Sequence, residues 1–184
     1  MRLIGYAVVA AFAAACTRDP ATAECPEVSP GNLVVTEVQG PQTDAAQPVW
    51  IELYNATSST IDLEGTRIRF RRKDGSSEVP VIVRRSVTVP GGGYVALGLV
   101  DDEMRPDFIS YGFLNDFHVT FLAAAAVDVE ACGVLIDRAT YDALPKAGSY
   151  QLGSMPPNAD DNEIPANWCV KTPSTPGQAN QTCP

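Results

Sequence analysis

Trp50-Ile51-Glu52-Leu53-Tyr54-Asn55 alternates in polarity with a period of two. That is the period of a strand, in which successive side chains point to opposite faces. Ile51 and Leu53 therefore share one face, and Trp50, Glu52 and Tyr54 the other. Outward from this stretch lie further short segments of strand character: Leu33–Val38, Thr66–Lys73, Val79–Val83, Ser86–Val89, Tyr94–Leu99, Asp107–Phe113, Val119–Leu122, Gly133–Tyr141 and Tyr150–Leu152. The quoted stretch itself belongs to a strand-like segment over Val49–Asn55. Between the segments stand turn formers, chiefly Asp74-Gly75, Pro90-Gly91-Gly92-Gly93 and Pro156-Pro157-Asn158. Leu122–Glu130 is divided, since four alanines favour helix whereas Val127 and Val129 favour strand. No stretch shows helical periodicity with caps, and from Thr172 onward the chain is too rich in Pro, Ser and Thr for a strand. Many short strands without alternating helices predict an all-β fold, an antiparallel sandwich or barrel.

The chain has 184 residues, enough for one domain with its own core. Thirteen Lys and Arg stand against 22 Asp and Glu, a net charge of −9. So acidic a surface favours solubility and argues against nucleic acid as a partner. The N-terminus has a different character. Arg2 is followed by the apolar run Leu3–Ala15, too short for a span, which needs about 20 residues, but suited to a secretory signal. Ala13-Ala14-Ala15-Cys16 resembles the bacterial lipobox, with Ala13 where leucine is usual. This resemblance implies that Cys16 is lipidated and becomes the first mature residue; the alternative is plain secretion after cleavage at an A-x-A site. Thr17, rather than Asp, beside the cysteine points to the outer membrane of a two-membrane host. The expected organisation is a signal peptide over 1–15, a tether over 16–31 and a single domain over 32–184.

Five cysteines are an odd number, as expected if Cys16 carries lipid and Cys25, Cys132, Cys169 and Cys183 pair. No C-x-x-C occurs and His118 is the only histidine, so neither a metal nor another cofactor is expected. Disulfides are the usual fate of thiols in an exported protein. Of the three pairings, the expected one joins Cys25 to Cys183 and Cys132 to Cys169, stapling the two ends. Each bond would contribute roughly 3–5 kcal/mol by loop entropy.

Taken in order, the segments resemble the lamin-tail domain, an immunoglobulin-like sandwich. Val34-Val35-Thr36-Glu37-Val38 is similar to its opening strand, and Trp50–Asn55 to its "W/Y-I/V-E-L-Y-N" segment. Ile61-Asp62-Leu63-Glu64-Gly65-Thr66 resembles its turn, with Thr66 where an aromatic is usual. Val89–Leu97, Val134–Asp137 with Tyr141, Gly148–Leu152, Trp168, and finally Thr175-Pro176-Gly177-Gln178-Ala179-Asn180, like the family's "T-P-G-x-x-N" ending, complete the series. Residues 100–130 depart most. The resemblance implies structural roles for Glu37, Glu52, Asn55, Pro176, Gly177 and Asn180. It also implies a non-enzymatic module in the cell envelope, with an envelope protein or polysaccharide as partner.

Glu37 and Glu52 could form a glycosidase-like acid pair, or they could pin neighbouring loops, with Thr175–Asn180 supplying backbone donors. The second reading is preferred. His118 lacks a G-x-S-x-G partner and reads as a surface or cap residue, and Gly91–Gly93 lacks the Lys of a phosphate loop. The loop Asn158–Glu163 is rich in oxygen ligands for calcium but lacks the EF-hand glycine and terminal glutamate. Arg67, Arg69, Arg71, Arg72, Lys73, Arg84 and Arg85 gather over half the basic residues into nineteen positions. Arg67, Arg69, Arg71 and Lys73 alternate and so share one strand face. They form a candidate patch for an anionic polymer, against which stands a solvated outer face that guards an edge. Trp50, Tyr54 and Trp168 would be glycan-stacking platforms if exposed and core if buried.

Overall fold

The computed structural model describes residues 25–121 and 125–184, and the fold is nearly all β. The strands are β1 (Leu33–Gln39), β2 (Trp50–Asn55), β3 (Ile61–Asp62), β4 (Arg67–Arg71), β5 (Val79–Ile82), β6 (Thr88–Val89), β7 (Tyr94–Gly98), β8 (Tyr111–Gly112), β9 (Ala125–Ala131), β10 (Val134–Tyr141), β11 (Ser149–Leu152) and β12 (Trp168–Lys171). A single helical turn, α1 (Ala159–Asn162), follows β11. One sheet runs β12-β11-β1-β2-β7-β8, the other β10-β9-β4-β5, and β3 pairs with β6 apart from both. Pairing is antiparallel except between β7 and β8.

The two larger sheets form a sandwich over a common core. Val35, Ile51 and Leu53 from one meet Ile68, Phe70, Val127 and Val129 from the other. Phe70 is also ringed by Phe113, Phe117 and Phe121, at centroid separations of 5.4–5.6 Å. Ile51 and Leu53 thus face inward as their alternation predicts. On the opposite face of β2, Trp50 is only 1% exposed and Glu52 0%. Ile109 and Ala96 cover Trp50, and the C-terminal segment covers Glu52. The six-stranded sheet is buried on both sides at its centre.

Several expected elements are changed. Asp107–Phe113 keeps only Tyr111–Gly112 as strand, and Leu114–Asp116 is a 3-10 turn. Val119, Thr120 and Phe121 form no strand, and Leu122 lies outside the described residues. The divided segment resolves as strand over Ala125–Ala131, because it lies between β4 and β10 and both neighbours satisfy its backbone. The Asp74-Gly75 turn joins β4 to β5 as read, with the Asp74 carboxylate accepting from the Ser76 N–H at 2.9 Å.

The edges of the four-stranded sheet are closed locally. On β5, Pro80 has no N–H to offer, the Ile82 N–H donates to Asp116 at 3.3 Å, and the Tyr111 hydroxyl donates to the Ile82 carbonyl at 2.9 Å. On β10, the Ile136 carbonyl accepts from the Gly31 N–H.

The disulfides correct the expected pairing. Cys25 bonds to Cys132, and Cys169 to Cys183. The N-terminal segment passes β10 and meets the β9–β10 hairpin at Cys132, whereas the chain after β12 turns back along its own sheet toward Cys169. Among the described residues, Cys25 is thus tied to the four-stranded sheet and Cys183 to the six-stranded one. A non-reducing peptide map is expected to recover these two linkages.

Gly148 opens β11 at φ +80°, where any side chain is strained, and a methyl there would be driven into the Lys171 carbonyl on β12. Gly148→Ala is therefore expected to cost roughly 2–3 kcal/mol in a urea titration; a loss under about 0.5 kcal/mol would mean that β12 yields freely.

Candidate functional site: two buried carboxylates under the C-terminal segment

Glu37 on β1 and Glu52 on β2 are opposite one another in register, just past an irregularity between Val35 and Glu37. Both side chains are fully buried. A buried carboxylate requires hydrogen bonds, and here the C-terminal segment supplies many of them. Glu37 accepts from the Thr175 N–H at 3.1 Å, the Thr175 hydroxyl at 2.9 Å, Gln151 Nε2 at 2.9 Å and the Ser149 hydroxyl. Glu52 accepts from the Gly177 N–H at 2.7 Å and the Thr36 hydroxyl at 2.8 Å. Gly177 holds φ +76°, which presents its N–H inward. Asn180 completes the latch, donating from Nδ2 to the Thr36 carbonyl at 2.7 Å and the Leu152 carbonyl at 3.1 Å. The preferred expectation, that Thr175–Asn180 pins to these acids through backbone donors, is what the structure contains.

Burial pushes the Glu37 carboxyl up. Burial first, then the nearby Glu37 charge, pushes Glu52 well above its usual range. Two carboxyls with raised pKa values resemble an acid–base pair. Here both carboxylates accept hydrogen bonds from Thr175 and Gly177 of their own chain. Asn55 is also structural: its Nδ2 donates to the Ser59 and Val89 carbonyls, and its Oδ1 accepts from the Thr57 N–H, bracing the turn after β2.

A third buried acid, Asp137 on β10, carries part of the strand resemblance in the sequence but no role that the sequence assigns. It links the sheets by accepting from the Val35 N–H at 2.7 Å and from Asn162 Nδ2 at 2.6 Å, while the Trp168 indole donates to the Asn162 carbonyl. Burial pushes its carboxyl up to about 6, and hydrogen bonds from Val35 and Asn162 only partly oppose this. The native state therefore holds a proton that the unfolded chain has lost between about pH 4 and pH 6. Stability from this group is greatest below that window and falls as pH rises through it, by about 3 kcal/mol in all. Asp137→Asn is expected to flatten this slope and to raise the melting temperature at pH 7. Thermal scans from pH 4 to pH 8 test it; a variant with the parental slope would assign the pH dependence to other groups.

The basic residues do not form a free positive surface. Arg69 pairs with Glu78, Asp128 and Glu130, Arg71 with Asp128, Lys73 with Asp142, Arg84 with Asp116 and Arg85 with Asp102. Arg67 is exposed beside them, its strand position opposite Glu130. Acids distant in sequence, above all on β9, supply the cancelling charge. A run of cations along one strand cannot reveal them. The outer-face reading fits this arrangement better than a polyanion site.

No protein-family model and no curated protein matches the chain.

The aromatic platform is likewise core. Trp50 and Trp168 are buried, the latter stacked on Tyr150 at 5.0 Å, and half-buried Tyr54 leans on Tyr94. In the oxygen-rich loop, Asn158 caps α1 through the Asp161 N–H, and its Nδ2 also bonds the Asp161 carboxylate. Among the described residues no group of three His, Cys, Asp or Glu side chains could hold a metal ion. His118 is exposed next to Phe117. An apolar hollow of about 390 Å³ between Phe70, Val79, Phe117 and Val119 was not foreseen. Its walls come from three separate segments. Cys16 and the signal sequence lie outside the described residues.

Proposed function

We propose that this chain is an exported lipoprotein of the bacterial envelope. Its one domain, of lamin-tail type, serves as a structural or interaction module rather than an enzyme. The observation that supports this most is the fate of Glu37 and Glu52. These acids carry the resemblance in β1 and β2, and both are spent on holding the Thr175–Asn180 segment that ends the same resemblance. Paired cysteines fit an oxidising compartment outside the cytoplasm. Burial of the tryptophans and pairing of the arginines weigh against the glycan-stacking and polyanion alternatives.

Two measurements test the reading. The intact mass of protein extracted from host envelopes is expected to match a chain beginning at an acylated Cys16. Incubation of the oxidised protein with glycoside, ester and peptide substrates is expected to give no turnover. Hydrolysis that disappears in Glu52→Gln would replace this reading with an acid hydrolase.

A further inference from the structure

Building on the lipid-anchored reading, we propose that the tip of the β9–β10 hairpin is the membrane-facing surface of the domain. On this proposal the tip rests on the lipid to which Cys16 ties the chain. The first support is where the N-terminal chain is made fast. Cys25 is bonded to Cys132, which occupies the hairpin turn at φ +50° beside Gly133. Cys16 precedes Cys25 by nine residues, a length that spans at most about 30 Å when extended. An acylated Cys16 would hold the hairpin tip, rather than some other part of the domain, close to the lipid.

The second support is what the tip displays. Val134 is 50% exposed and Leu135 38%. They follow the clamped turn directly, on a strand that forms the edge of its sheet; Val134, opposite Ala131, lies beyond the last β4 partner of β9, and Leu135, opposite Glu130, is level with it. Nothing in the sandwich core requires apolar side chains there. The acids Asp160 and Glu163 line a hollow with Leu135, and the whole chain carries −9. The surface therefore suits a zwitterionic lipid face and gains nothing from anionic headgroups. Two side chains make a weak contact alone, but the anchor raises their effective concentration at the membrane, so weak contacts suffice to set orientation.

The third support is direction. The Gly31 N–H bonds the Ile136 carbonyl, Val35 bonds Asp137, and Gly40 packs on Leu144. β1 and β10 thus run alongside one another away from the tip. The far end is formed by the loops around Thr43 and Lys146, themselves hydrogen-bonded. That end would face away from the membrane and meet any partner.

The test uses the full lipidated chain in phosphatidylcholine vesicles containing a nitroxide-headgroup lipid, read by paramagnetic broadening of amide signals. Residues 132–136 are expected to broaden several-fold more than residues 43–46 and 143–147, with no change on adding phosphatidylglycerol or salt. The double variant Val134→Asp/Leu135→Asp, at exposed positions, is expected to lose that contrast while still floating with vesicles. Equal broadening at both ends, or a stronger effect at 43–46, with Cys16 shown by mass to be acylated, overturns the orientation alone. An unmodified Cys16 overturns the anchor reading and the proposal together.

Discussion

Asp128→Ala is expected to destabilise the protein by about 2–4 kcal/mol, somewhat less than removing one partner of a fully buried ion pair costs, because its arginine partners stay partly exposed. Its side chain is 0% exposed at the centre of the outer face of β9. It accepts from Arg138 Nε at 2.6 Å, Arg71 Nε at 2.8 Å and Arg69 Nη2 at 3.1 Å. Burial alone would raise its pKa, yet the hydrogen bonds and charges of Arg138 and Arg71 hold it below the ordinary range. A depressed carboxyl stabilises the native state above its unfolded pKa, so this contribution is present at pH 7 and fades only as pH falls below about 4. The arginines reach water more easily than Asp128 does, so part of the loss is recovered by their rehydration. Glu78→Gln, at the solvent-exposed rim of the same network, is expected to cost under about 0.5 kcal/mol. Urea midpoints at pH 7 for the two variants make the comparison. A similar small loss in both would show that the arginine cluster stands without its buried acid.

The second large effect concerns the disulfides. Cys25–Cys132 closes a separation of 107 residues and Cys169–Cys183 one of 14. Loop-closure entropy assigns about 4–5 kcal/mol to the first and about 3 kcal/mol to the second, as upper bounds. Paired Cys→Ser variants are expected to follow that order in denaturant titrations. Their local consequences differ. Without Cys169–Cys183, the Thr175–Asn180 segment keeps only its hydrogen bonds to Glu37, Glu52 and the strand carbonyls, so amide exchange at Thr175 and Gly177 is expected to accelerate ahead of the core. Without Cys25–Cys132, those amides should be untouched. Exchange that quickens everywhere at once in the first variant would mean that the C-terminal segment unfolds only with the whole domain.

The loss of Cys169–Cys183 bears on how the C-terminal segment is held. Its residues form no ladder, so side chains from β1, β2 and β11 replace the sheet as its hydrogen-bond partners. Raised carboxyl pKa values at Glu37, Glu52 and Asp137 oppose the depressed one at Asp128. The first three favour mildly acidic solution and the last fails below it. Maximum stability is therefore expected near about pH 4, where the raised carboxyls still hold their protons in the native state and Asp128 is still ionised.

Local chemistry decided most of the strand content. Alternation placed Ile51 and Leu53 in the core, Asp74-Gly75 turned β4 into β5, and many short segments without alternating helices implied an antiparallel sandwich or barrel. The link from Thr175–Asn180 to Glu37 and Glu52 was legible only through the resemblance, whose T-P-G-x-x-N ending suggested backbone donors for the two carboxylates. Tertiary structure decided the rest. The second face of β2 is buried only because remote residues such as Ile109 and Gly177 fold over it. The arginines of β4 are neutralised only because Asp128 and Glu130 arrive on a neighbouring strand, and the cysteines pair by which sheet each terminus borders. A sequence records the character of each face, but what covers that face depends on segments brought close by the fold, and no local period encodes them.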